Sequence, residues 1–103
     1  MNSYEINEMM LSIHKDLEET IRVLKENYNV EHPFPPQIKI IIYDGHWMGE
    51  IFPSLVKFPF GETIITHGFS AKDLEELLDK MKTYSSKQLE NTKNGMIDSI
   101  PLS

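Results

Sequence analysis

The stretch Ile38-Lys39-Ile40-Ile41-Ile42-Tyr43-Asp44-Gly45-His46-Trp47-Met48-Gly49-Glu50-Ile51-Phe52 decides the fold. Asp-Gly between two apolar runs signals a hairpin, because a type I′ turn needs positive φ at both central residues. A two-residue loop at Asp44-Gly45 sets a definite register. Tyr43 faces His46, Ile42 faces Trp47, Ile41 faces Met48, Ile40 faces Gly49, Lys39 faces Glu50 and Ile38 faces Ile51. The pairing sets Lys39 across from Glu50, favourable by ~0.2–1 kcal/mol. A one-residue slip would lose that pair and turn every side chain to the other face.

In this register Ile38, Ile40, Ile42, Trp47 and Ile51 share the face expected to join the core. Lys39, Ile41, Tyr43, His46, Met48 and Glu50 share the other. A sheet packed on one side only shows a polar outer face, and this one is mixed. Two readings follow: a cover made by the N-terminal helix or the loop after Phe52, or an exposed surface for a partner.

Working outward, Ile6, Met9, Met10, Ile13, Leu17, Ile21, Leu24 and Tyr28 recur at three- and four-residue steps, predicting a helix over residues 3–28 with Asn2 or Ser3 as N-cap. Glu18 and Arg22 stand at i, i+4 on its polar side. At ~1.5 Å per residue the helix is longer than the strands it covers. Its stripe either overhangs, to be buried by a second copy, or packs wholly in cis. Pro33, Pro35 and Pro36 stiffen the crossing to the sheet.

Beyond the hairpin, Pro53 is expected to end the second strand. Residues 54–61 read as an apolar loop, with Phe58 and Phe60 serving as a lid or as a contact surface. A third strand is expected over residues 62–67. A second helix should open at Ser70 as N-cap, with Asp73 at N3 and Leu74, Leu77, Leu78 and Met81 as its buried stripe. From Ser85 the chain turns polar. The reading is therefore an α+β fold, a three-stranded antiparallel meander with a long N-terminal helix and a second helix packed on the sheet (α-β-β-β-α). One domain spans residues 1–84, and residues 85–103 form a polar tail, as a short edge strand or disordered.

The 103 residues carry 10 Lys plus Arg against 16 Asp plus Glu, a net charge of −6, and no Cys. The charge opposes non-specific nucleic-acid binding, which rests on cation–phosphate contacts. The lack of Cys removes disulfides, thiolate metal sites and a Cys nucleophile. No apolar run is long enough to span a bilayer and no signal-peptide pattern opens the chain, so a cytoplasmic location is expected. His14, His32, His46 and His67 lack the spacing of a helical metal site. Only His46 and His67 could approach one another, if strands two and three pair. No catalytic, cofactor or metal residue is assigned.

Tyr43-Asp44-Gly45-His46-Trp47, Ile51-Phe52-Pro53, Pro59-Phe60-Gly61, Ile65-Thr66-His67-Gly68-Phe69-Ser70 and Asp73-Leu74-Glu75-Glu76-Leu77-Leu78 together resemble the HicB antitoxin family over residues 38–84. The resemblance implies a ribonuclease-H-like β-β-β-α core used for protein binding, with no catalytic residues carried over. The long first helix and the long segment from Pro53 to Gly68 depart from the family pattern. No helix-turn-helix or ribbon-helix-helix segment follows the second helix, so operator binding is not implied.

The functional expectation is a small acidic protein-binding module of antitoxin or inhibitor type that occupies a basic protein partner through Ile41, Tyr43, His46, Met48, Phe58 and Phe60. Two alternatives stand beside it. One is a structural or phage-type homo-oligomer, a homodimer at its simplest, assembled through the N-terminal helix. The other is a double-stranded RNA-binding-like domain, whose element order matches. Lys72-Asp73-Leu74-Glu75-Glu76 stands where that domain needs basic residues.

Overall fold

A computed structural model describes residues 1–28, 35–58, 61–95 and 98–99. The order is α1 (Ser3–Tyr28), β1 (Gln37–Tyr43), β2 (His46–Phe58), β3 (Gly61–Ala71), α2 (Leu74–Lys93) and β4 (Asp98–Ser99). The α+β architecture is the one expected: an antiparallel meander in the order β1-β2-β3, with β4 added beside β2. Asp44 (φ 51°) and Gly45 (φ 75°) form the tight turn. The β1–β2 register is the predicted one, from Ile38 opposite Ile51 to Tyr43 opposite His46.

One sheet face is buried under both helices. Ile51 and Ala71 from the sheet, Ile13 and Leu17 from α1, and Leu77, Leu78 and Met81 from α2 form the core; Ile38, Ile40, Trp47 and Phe69 pack against it. Gly49 lies on this face because α2 presses onto it. A Cβ there would sit 2.6 Å from Met81 Sδ and 3.1 Å from Leu77 Cδ1. The α1 stripe packs in cis: Ile13, Leu17 and Leu24 are buried, and Ile6, Met9 and Met10 lie against the core. Asn2 caps α1, its Oδ1 accepting from Glu5 N at 2.8 Å. Glu18 pairs with His14 at 2.7 Å rather than with Arg22, which reaches Glu19 and Glu26 instead.

The structure corrects four boundaries. β2 does not stop at Pro53 but runs on to Phe58, so residues 54–58, expected in a loop, are strand. Proline lacks the amide donor, yet a bulge interrupts the ladder where it sits. Ile51 faces His67 and Ser54 faces Ile65, so β2 carries one extra residue there, and the Phe52–Pro53 peptide is cis. Ser54 is thereby turned to the buried side, and its hydroxyl bonds to that of Tyr84.

β3 continues past His67 to Ala71, because Phe69 and Ala71 keep the core-facing alternation opposite Gly49 and Trp47. Ser70 is therefore strand, paired with Met48, and is not the cap of α2. Asp73 is the cap: its Oδ1 accepts from Glu76 N at 2.8 Å, and Glu76 Oε2 accepts from Lys72 N at 3.1 Å. The reciprocal acidic cap exists, displaced by one turn of the expected helix.

Finally, α2 does not give way to a tail at Ser85 but runs to Lys93. Ser85, Gln88 and Thr92 extend the stripe of Leu78 and Met81 as buried polar residues, each with a partner. Ser85 Oγ donates to Asp16 Oδ2 (2.8 Å), Gln88 Nε2 to Pro53 O (3.2 Å) and Thr92 Oγ1 to Gln88 O (2.7 Å). The short strand β4 runs parallel to β2, with Asp98 opposite Val56.

Candidate functional site

The β1–β2 hairpin is held by its I′ turn and by β3 alongside, and its end carries an apolar surplus. Ile41 is 38% exposed, Ile42 65%, Tyr43 70% and Met48 36%. These four lie within one turn and the adjoining strand ends. Among the described residues, Tyr4 and Leu11, the other large exposed apolar residues away from the N-terminal Met1, are spaced along α1. Singly placed surface hydrophobes are ordinary, whereas a contiguous patch marks a contact surface.

Two cross-strand pairs, Ile41 with Met48 and Tyr43 with His46, bring four of the six expected partner-binding residues together on the outer face. Tyr43, Asp44, His46, Met48 and Ser70 line an open pocket of about 280 Å³ there. Of the two proposed covers for this face, residues 54–58 of the segment after Phe52 are strand, and α1 packs on the opposite face. Phe58 is not part of the patch. It pairs with Gly61 at the far end of β2, ten extended residues or ~33 Å from Met48. Phe60 lies outside the described residues.

Ile42 was expected in the core and is exposed. It stands on the core-side face, but next to the turn, beyond the buried cluster that holds Ile38 and Ile40. The hairpin tip is therefore apolar on both faces.

His46 and His67 do not meet. His67 faces Ile51, five residues along β2 from His46, and stacks on Tyr84 on the helix side (ring centroids 4.3 Å, 16° between planes), with Phe69 at 4.9 Å. His46 points to the opposite face. Among the described residues no group of three or more His, Asp or Glu could hold a metal ion, and no described helix is long and apolar enough to cross a membrane.

A larger groove, about 740 Å³, runs beside α2 between Phe69 and Tyr84. Three of the charged residues that line it, Asp73, Glu76 and Lys80, are engaged within the fold. Asp73 caps α2, Glu76 holds Lys72 N and pairs with Lys80, and Lys80 Nζ donates to Ser70 O at 2.8 Å.

The sequence reading missed the polar junction of the helices. Asp16 Oδ2 accepts from Lys82 Nζ (2.7 Å), Ser85 Oγ (2.8 Å) and Ser86 Oγ (2.9 Å). Burial alone would raise the Asp16 pKa, but these three hydrogen bonds and the Lys82 charge together hold it below its ordinary value. The signal was present: Asp16 falls one residue before Leu17 in the buried stripe, and Lys82-Ser85-Ser86 stand at helical spacing. The junction clamps α1 to α2 and exposes no chemistry.

Compared with known proteins, the chain matches no family model, no curated protein and no solved structure. Fold and site define a class only: an α-β-β-β-α module that presents an apolar hairpin tip.

Proposed function

We propose that the protein is a protein-binding module that docks the outer face of its β1–β2 hairpin onto a basic partner, in the manner of a HicB-like antitoxin or inhibitor. The observation that carries this reading is the exposure of Ile41, Tyr43 and Met48 side by side on a rigid two-stranded ribbon. Partner surfaces are built around a few aromatic, Met and aliphatic anchors set within a polar rim. Here Lys39, Asp44, His46 and Glu50 supply that rim. The net charge of −6 favours a basic partner and speeds its encounter. The HicB-like reading draws further support from the meander running directly into an acid-capped helix, with no catalytic grouping on the patch.

Affinity purification of the tagged full chain from its native host tests the proposal. A specific basic protein should be retained by the wild type and released as salt rises. Met48→Lys should lose it, by ~2 kcal/mol or more if Met48 is a central anchor, while circular dichroism stays native. Equal retention by Met48→Lys would refute the assignment of this face.

A further inference from the structure

We infer that two copies of this chain pair edge to edge through β1, in antiparallel fashion, with Ile40 facing its own counterpart across a two-fold axis. Among the described residues nothing pairs with the outer edge of β1, since the sheet order places it beside β2 alone. The pair flanking a two-residue hairpin turn exchanges hydrogen bonds, and the alternation continues along the ladder. Gln37, Lys39, Ile41 and Tyr43 thus bond inward to β2. The amides and carbonyls of Ile38, Ile40 and Ile42 point outward.

That edge is self-complementary. Antiparallel pairing about Ile40 sets Ile38 opposite the second copy's Ile42, Ile40 opposite Ile40, and Ile42 opposite Ile38, and each pair exchanges two backbone hydrogen bonds. All three side chains lie on the core-side face, so the two cores become continuous across the seam. Ile42, left 65% exposed by its own helices, meets an isoleucine there. The edge is only lightly protected: within Gln37–Tyr43 there is one lysine, Lys39, and no proline or bulge.

Charge favours a second copy on this seam although the whole chain is acidic. The strand carries one charge, Lys39, and Glu50 stands directly across from it, so the seam itself is neutral and the only repulsion to screen is that of the acidic chains as wholes. Added salt should therefore strengthen self-association, the opposite of its effect on a basic partner. The inference uses the edge of the hairpin rather than its outer face, and either can fail without the other.

The test is the solution mass of the full chain over a concentration series, by sedimentation or light scattering. The mass should rise from 12.0 kDa toward twice that value and rise further with salt. Ile42→Pro removes one outward amide without touching the β1–β2 ladder, and Ile42→Lys places a charge on the seam. Both should hold the mass at 12.0 kDa with native circular dichroism. Met48→Lys should leave the doubling intact.

The chain has no Cys, so Ile40→Cys gives a single thiol. Facing residues of a hydrogen-bonded pair lie ~5.5 Å apart at Cα, within disulfide reach, so mild oxidation should yield a covalent dimer and Ile42→Cys should not. A monomer at every concentration overturns the inference. So does a dimer indifferent to both Ile42 variants while they remain folded.

Discussion

Leu77, Leu78 and Met81 of α2 are fully buried, while on the hairpin Ile42 and Tyr43 leave about two-thirds of their surface exposed. Both regions are rich in large apolar residues. They differ in what stands opposite. α2 has the sheet on one side and α1 on another, whereas Ile42 and Tyr43 at the hairpin tip lie outside the buried cluster. Apolar content alone thus does not locate a core; the reach of the covering elements does. The helical layer spends its apolar surface on stability. The hairpin keeps its own available, and we read that availability as function.

Substitutions separate the two regions by the size of their effect on folding. Leu17→Ala should be the most damaging, costing ~2–5 kcal/mol through lost burial and a cavity. A urea midpoint close to wild type would mean that α1 is not part of the core. Gly49→Ala should cost ~1–3 kcal/mol, because the added methyl meets the buried Met81 sulfur and α2 must shift. If its stability equals wild type, α2 does not press on the sheet at this point.

Asp16→Asn should cost ~1–3 kcal/mol, since the Lys82 charge loses its counterpart and the serine donors lose a carboxylate. Its pH signature is specific. The folded pKa of Asp16 lies below the ordinary value of 3.8. The contribution is therefore complete above about pH 4 and disappears as pH falls through the lowered pKa. In Asp16→Asn the acid slope of stability should flatten over that window, as read from denaturation at several pH values; an unchanged slope would remove Asp16 as its source.

The smallest effects lie toward the surface. Asp73→Ala should cost ~1 kcal/mol by uncapping α2, and Ser70→Ala within ~0.5 kcal/mol. The reverse order, measured by thermal melting, would restore Ser70 as the cap. Met48→Lys should also stay within ~0.5 kcal/mol, since Met48 is spare to the fold; a large loss would place it in a covered core.

The sequence was most legible where local chemistry dictates geometry. Asp44-Gly45 permits one short turn, and the register follows from it residue by residue. The α1 stripe was readable because its buried positions are nearly all apolar. Legibility failed where position mattered more than residue type. Ser85, Gln88 and Thr92 look like solvated tail until Asp16 and Pro53 are placed against α2. Pro53 looks like a strand end until the bulge accommodates it. Ile42 has the pattern of a core residue, and only the placement of the helices shows that it stays largely exposed. The candidate site was half legible: Ile41, Tyr43, His46 and Met48 follow from register alone, whereas Phe58 was assigned to it by composition and stands at the far end of the strand.

The most direct measurement compares what the tagged wild-type chain and Met48→Lys retain from the native host at low and high salt, quantified by mass spectrometry, with both proteins shown to be equally folded. A basic protein should be enriched on the wild type, lost from Met48→Lys and released by salt. Identical retained sets on the two proteins would contradict this.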